Sequence, residues 1–370
     1  MAALVLVALQ FHRWSKLSSG SVFSPEFPRP VVILFNWAFG TVVLLALLQL
    51  VLDIGLLSAA LIHGGIVGAP DGVRYGLAAF AMLAAAVGVQ QAIRVPPLRD
   101  IEVGVSGLPR QFDGYTILQL TDLHISRLFP QSWARAVVER SNKLAVDLIA
   151  ITGDLIDGTP EARQADVEPL QDLQATDGVH VISGNHEYIF GYGIWMARYA
   201  ALGLLSLENR HIVLDRDGAK LVIAGITDRA SRHNGHPVRD LAAVLEAAPA
   251  GAPVILLDHQ PSDARHAAKL GVALQLSGHT HGGLIRGLDR LAARANAGYV
   301  SGRYDVSGMT LYVNNGTALW PGFAIRLGRP SELTLITLRQ AEARPDISPH
   351  ATIQAVSSVA EHNMSTTTNS

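Results

Sequence analysis

Apolar and polar positions divide this chain sharply into two parts. From Val31 to Ile93 apolar residues run almost without a break, while from Gly114 onward short apolar runs alternate with mixed, helix-like stretches. Val31–Leu52 holds 22 residues without a charge. As a helix it would reach about 33 Å, enough to cross a hydrocarbon core. Ile54–Pro70 is a second apolar run, interrupted by His63, Gly64 and Gly65, and Tyr75–Ile93 is a third. Met1–Phe11 is apolar as well, with Arg13 and Lys16 behind it, but is too short to span. The pattern predicts an α-helical membrane region over 1–93 with three transmembrane segments, or four with the first counted. Pro96, Pro97 and Pro109 then mark 94–112 as a linker.

In the second part, TILQLT, LIAITG, GVHVISG, KLVIAGI, PVILLDH and VALQLSG read as buried strands, with MTLYVNN and ELTLITL as later ones. Helical stretches lie between several of them, at Trp133–Leu144, Ile194–Leu202, Val238–Ala248 and Ser262–Leu270. Such alternation predicts an α/β sandwich over 113–341, with helices covering the sheets. From residue 342 the chain turns rich in Ser, Thr and Pro, which predicts a disordered tail over 342–370.

Charge sharpens the division. Residues 31–93 carry three charged side chains, Asp53, Asp71 and Arg74, against 57 in the other 307 residues. The net charge of −2 offers no basic excess for a nucleic-acid groove. There is no cysteine, so disulfides, thiolate metal sites and cysteine nucleophiles are excluded. Any metal must be held by His, Asp, Glu or Asn. Ahead of the first long apolar run, Arg13, Lys16 and Arg29 outnumber Glu26, which points this stretch to the cytoplasm. An odd number of spans would then put the large domain on the outer side of a multi-pass cell-membrane protein, although Arg94, Arg99 and Arg110 pull the other way.

Candidate chemistry gathers just past the apolar runs, where open α/β sheets place their ligands. Asp122-Leu123-His124 follows the first strand and Gly153-Asp154-Leu155-Ile156-Asp157 the second. Gly184-Asn185-His186-Glu187 follows the third, His259 ends PVILLDH, and Gly278-His279-Thr280-His281 follows VALQLSG. Taken singly, each is ordinary: Asp154 a helix cap, Asn185 a turn residue, His259 a core histidine. Together they make a metal site. Neutral imidazoles with carboxylates and one amide suit Mn, Fe or Zn better than Ca or Mg. Seven ligands with one carboxylate bridging would fill two sites. Two cations neutralise a phosphodiester's charge and lower the pKa of a shared water. Tyr188, His233, His236, Arg303 and Trp320 are loop residues that could contact substrate, or equally ordinary surface and packing residues.

In this order the motifs resemble the calcineurin-like metallophosphoesterase superfamily, over about Gly114–Leu338. LQLSGHTHGGLIRG, with YVSGRYDVSGMTLYVNNGTAL and GRPSELTLITL, is similar to its membrane-associated bacterial YkuE/YaeI-type subgroup. The resemblance implies a four-layer αββα sandwich and two divalent metal ions, with Mn the best supplement in vitro. It implies Asp122, His124 and His281 on one metal, Asn185, His259 and His279 on the other, and Asp154 bridging. His186 would be the general acid, with Asp157 and Glu187 supporting the ligands or capping turns. Where such relatives usually carry Gln, this chain has Leu284. The implied activity is hydrolysis of a phosphodiester or pyrophosphate by in-line attack of hydroxide. Its substrate could be lipid-linked, such as a UDP-diacylglucosamine-type pyrophosphate. The competing readings are a catalytically weak metal-binding scaffold of the membrane, a transporter with a regulatory domain, and a nuclease. The intact His186 speaks against the first, and the lack of acidic or basic residues within the apolar runs speaks against the second. The lack of a Lys/Arg cluster speaks against the third.

Overall fold

The structure, a computed structural model, describes residues 2–233 and 235–341; the tail expected over 342–370 lies outside the described residues. Two six-stranded sheets form the body. Their strands are β1 (Leu98–Val105), β2 (Thr116–Leu120), β3 (Leu148–Thr152), β4 (Val179–Ile182), β5 (Leu205–Ser206), β6 (Arg210–Arg216), β7 (Ala219–Gly225), β8 (Val254–Leu257), β9 (Leu274–Ser277), β10 (Gly302–Val306), β11 (Met309–Val313) and β12 (Leu333–Gln340). The first sheet runs β1-β12-β2-β3-β4-β5 and the second β10-β11-β9-β8-β7-β6. Between the sheets, Ile117, Leu148 and Ala150 meet Ile223, Ile255, Leu274 and Leu276. Outside the first sheet, Trp133, Val137, Trp195 and Tyr199 cover the outward face with helices, and Leu241, Val244, Ala264 and Ala267 do the same for the second. This is the expected helix–sheet–sheet–helix layering.

The eight apolar runs read as strands all form strands. The expected linker does not stay a linker, since β1 occupies its middle and pairs in parallel with β12 from Leu98↔Leu333 to Val105↔Gln340. Its sequence LRDIEVGV alternates, placing Asp100 and Glu102 on the outer face of an edge strand and Ile101, Val103 and Val105 on the inner one, where Arg99 pairs with Glu332. The flanking prolines obscured that pattern.

The apolar N-terminal part forms three helices. α1 is Ala2–Ser19, α2 Arg29–His63 and α3 Asp71–Ile93. The expected separate segment at Ile54–Pro70 is not one: Ile54–His63 continues α2, because Asp53 and Gly55 are both accommodated inside the helix. At 35 residues, α2 is about 52 Å long. It ends where Gly64 turns left-handed (φ 69°) and donates its N–H to the Ala60 carbonyl. Both α2 and α3 begin just past a proline, at Pro28 and Pro70.

The hairpin has two unlike halves. Near the body, α2 buries Val32, Phe35, Asn36, Ala38 and Thr41, and α3 buries Ala81, Ala85, Val89 and Ala92. Asn36 accepts the Ala324 N–H and donates to the Pro321 carbonyl at 2.9 Å. A Cβ on Gly88 would strike Ile325, so this glycine is needed for close packing. Farther out, Leu57, Leu61 and Ile62 are 61–79 % exposed, an apolar surface that nothing among the described residues covers.

Candidate metal centre

Asp122, Asp154 and Asn185 follow β2, β3 and β4, which are parallel neighbours in the first sheet. His259 and the pair His279/His281 follow β8 and β9, parallel neighbours in the second. Facing sheets bring these two sets of strand ends together. Gln119 donates across to the Ser277 carbonyl at 3.1 Å, and the His279 N–H reaches both oxygens of Asp122 at 3.1–3.2 Å.

The loops turn abruptly to aim their side chains. Asp122, His124, Asp154, His279 and His281 all have φ between 41° and 69°. Left-handed backbone costs a non-glycine residue on the order of 1–3 kcal/mol, and such strain clusters at functional sites. Gly184 and Gly278 must lack side chains, because a Cβ there would collide with the carboxylates of Asp154 and Asp122 respectively. A Cβ on Gly153 would meet the Gly184 backbone at 2.6 Å.

Two donor clusters result. Asp122, His124 and His281 place ligand atoms within 4.8 Å of one another, and so do Asp154, His259 and His279. Asp154 faces both: its Oδ2 lies 3.3 Å from His259 Nε2 and 3.8 Å from His124 Nε2. The Nδ1–H of His259 donates to the Thr152 carbonyl at 2.7 Å, which turns Nε2 inward. His124 Nε2, His259 Nε2 and Asn185 Oδ1 are buried without a hydrogen-bond partner. Unpaired polar atoms at such depth are costly unless something coordinates them. The donor set therefore fits divalent metal. Burial, and then repulsion from His259, lowers His279 to about 3. Burial and then the neighbouring His124 and Arg326 hold His281 well below its usual range. Both shifts favour the neutral imidazole that a metal requires, whereas Asp154 and Asp122, against burial, hold His259 well above its usual range. Against burial, the facing His259 and His186 keep Asp154 well below the usual carboxylate range.

A third cluster joins His124, Asp157 and His186. Asp157 Oδ1 lies 2.5 Å from His186 Nδ1, and its Oδ2 lies 3.1 Å from His124 Nδ1. The carboxylate thus orients the His186 imidazole and lies close to that of His124 without hydrogen-bonding it. Glu187 ties the loops from below, accepting the N–H groups of Asp154, Leu155 and Gly184 at 2.7–3.1 Å and the Tyr199 hydroxyl.

A calcineurin-like phosphoesterase family model matches residues 115–283. The chain is 33 % identical over 241 residues to the uncharacterized metallophosphoesterase YkuE of Bacillus subtilis, covering 63 % of this chain and 82 % of that one. The chain belongs to the calcineurin-like phosphoesterase family. It is also 32 % identical over 267 residues to a transmembrane protein with metallophosphoesterase domain from Danio rerio, covering 70 % of this chain and 60 % of that protein. To an uncharacterized metallophosphoesterase of Helicobacter pylori it is 30 % identical over 253 residues, covering 68 % and 66 %. The chain spans about 60 % of the length of the vertebrate relatives it matches.

The strand ends bring all seven expected ligands and His186 together at one site. The loop candidates scatter. Trp320 reaches the site, where its ring meets that of Phe23. Tyr188 instead stacks on Tyr192 at 4.5 Å, beside His236. Arg303 lies on β10 and donates to the Glu102 carbonyl on β1. The His233 side chain lies outside those described. Two residues at the site carried no signal in the sequence. Phe23, from the segment joining α1 and α2, lies edge-on to the His186 ring at 5.2 Å. Arg326 is fully buried and donates to the carbonyls of His281, Asn315 and Ala318, so it braces the His281 loop from behind.

Proposed function

We propose that this protein hydrolyses a phosphodiester or pyrophosphate at a two-metal centre held against a membrane. The observation that carries this is the Asp154 carboxylate, set between two histidine-rich clusters whose inward nitrogens have no protein partner. Asp122, His124 and His281 would hold one ion, Asn185, His259 and His279 the other, and Asp154 both. Bound there, two divalent ions supply Lewis acidity and a water acidic enough to be a nucleophile near neutral pH.

The chain's own residues do the rest. Asp157 holds His186 by Nδ1, which leaves Nε2 as the atom to protonate a departing alkoxide. Glu187 and the glycine turns keep ligand positions fixed, so little reorganisation accompanies the reaction. The exposed outer half of the α2–α3 hairpin is the membrane anchor, and a lipid-linked phosphoester is the fitting substrate class. The hairpin also supports a reading of the side. Glu26, just ahead of α2, reaches Arg127 and Arg163 of the body, so the chain enters and leaves the bilayer on one side. Arg13, Lys16, Arg29, Arg94, Arg99 and Arg110 then all flank that side, which favours the cytoplasmic face over the outer one expected from three spans.

The test uses the full chain in vesicles with added Mn, screened against bis-p-nitrophenyl phosphate, nucleotides and lipid-linked pyrophosphates. Hydrolysis that a chelator abolishes and Mn restores is the expected result. His186→Ala should retain both metals yet lose about 10²–10⁴-fold on substrates with poor leaving groups, and less on p-nitrophenyl esters. Equal losses on both would remove His186 from the acid role.

A further inference from the structure

The segment Gly20–Pro28 joins α1 to the anchor helix α2, yet it lies against the catalytic loops. Ser24 donates its hydroxyl to the Asp157 carbonyl at 3.1 Å, and Glu26 pairs with Arg127 and with the buried Arg163. These bonds fix Phe23 over His186. The Phe23 ring is 5.2 Å from the His186 ring and 5.6 Å from that of Trp320, edge-on to both. Phe190 stands 6.3 Å from His186. The ligand His124 packs edge-on against His186 as well, at 4.7 Å. His186 is thus flanked by the donor cluster and by the rings of Phe23 and Phe190, with Trp320 extending the wall from Phe23.

That wall continues in two directions. Past Trp320, the loop runs onto the hairpin: Gly322 offers its carbonyl to His12, and Phe323 packs edge-on against Phe39 of α2 at 5.5 Å. Beside Phe190 opens a cavity of about 570 Å³, lined by Ser21, Ser24, Glu26, Gly158, Ile189 and Phe190 and by neither Phe23 nor Trp320. Binding sites for drug-sized molecules are of this volume. Nothing in the chemistry attributed to the metals or to His186 requires apolar rings at this place. A catalytic acid hemmed in by such rings suits a leaving group that is itself apolar.

We propose that Phe23 and Trp320 are specificity-determining residues, binding an alkyl chain on the alcohol that leaves from phosphorus beside His186. The inference rests on the phosphoesterase reading and adds the class of leaving group. It also explains why a helix-joining segment is stapled to the site: the anchor supplies part of the substrate pocket.

The experiment compares symmetrical dialkyl phosphates from diethyl to dioctyl, in which either bond releases the same alcohol, using the full-length Mn-loaded protein in detergent. We expect kcat/KM to rise at least tenfold along the series. In Phe23→Ala and Trp320→Ala the rise should shrink to less than threefold, with KM carrying most of the change. An unchanged chain-length preference in both variants overturns the proposal. A second measurement needs neither turnover nor a variant. A dialkyl phosphate bearing a terminal diazirine is photolysed with the unaltered chain, and peptides containing Phe23 or Trp320 should be labelled. Labelling confined to other peptides overturns the proposal. Labelling at Phe23 without hydrolysis of any phosphate would uphold the wall and overturn the phosphoesterase reading.

Discussion

The strand-end loops and the α2–α3 hairpin are specified over different distances along the chain. Each candidate ligand lies two to four residues past the end of its strand, so an apolar run followed by Asp-x-His or Gly-Asn-His marks it locally. In the hairpin, Val32 and Ala92 belong to the domain core while Leu50, Leu57 and Leu61 are exposed. No local pattern separates these two groups. Apolar side chains look alike in sequence whether they face protein or lipid. Chemistry is therefore written residue by residue, whereas which apolar residues join the domain core is written only in the fold.

The comparison can be broken first at Asp154, where the largest effect is expected. Asp154→Asn removes the charge that faces both histidine clusters. Loss of partners outside the ligand sphere already costs about 10–100-fold in metal affinity or activity, so this ligand should cost more than about 100-fold. Elemental analysis should find most metal gone while the near-ultraviolet circular dichroism stays native. Two metals per chain in an active variant would show that the site does not hinge on this bridge.

Legibility follows from the same contrast. The α/β layering and the site were readable because buried strands leave uninterrupted apolar runs and turns leave glycines. β1 was missed because an edge strand alternates and because Pro96 and Pro97 precede it. The run at Ile54 looked separate because His63 and the two following glycines suggested an interruption, whereas the helix closes only at Gly64. Phe23 was unreadable because its partner His186 lies more than 160 residues away, and only the folded chain brings them together.

The hairpin's two halves give the next test. Asn36→Leu deletes the side chain that bonds Pro321 and Ala324, leaving two buried backbone groups unpaired. An unsatisfied buried group costs about 1–3 kcal/mol, so with two of them stability should fall by roughly 2–6 kcal/mol. Leu57→Asn, in the exposed half, should move fold stability by no more than about 0.5 kcal/mol. It should instead weaken partition into vesicles. Thermal unfolding in detergent and vesicle flotation read the two quantities separately. Equal destabilisation by both changes would mean the hairpin is one structural unit. For the same reason, deletion of 1–93 should unfold the domain rather than release it, since Val32 and Ala92 sit in its core.

The smallest effect expected lies on the domain side, at Glu208. Its carboxylate accepts the Ser183 N–H and hydroxyl and the Tyr192 hydroxyl, and so holds the start of the Asn185 loop. Burial raises its pKa from 4.5 to about 7, against the bonds from Ser183 that favour the charged form. Between those two values the folded chain keeps a proton that the unfolded chain has released. Stability must then fall as pH rises through that window, and the contribution levels off above it. The residue as a whole is only half-buried, so the full shift overstates the effect, and a change of roughly 1–3 kcal/mol between pH 4.5 and 7 is the expected scale. Glu208→Gln keeps an acceptor for Ser183 but cannot titrate, and should flatten this slope while leaving the Leu57→Asn partition defect untouched. Denaturant unfolding at several pH values, in the parent and in both variants, measures it. A slope that survives Glu208→Gln, or that changes with Leu57→Asn, would place the pH dependence outside the loops that build the site.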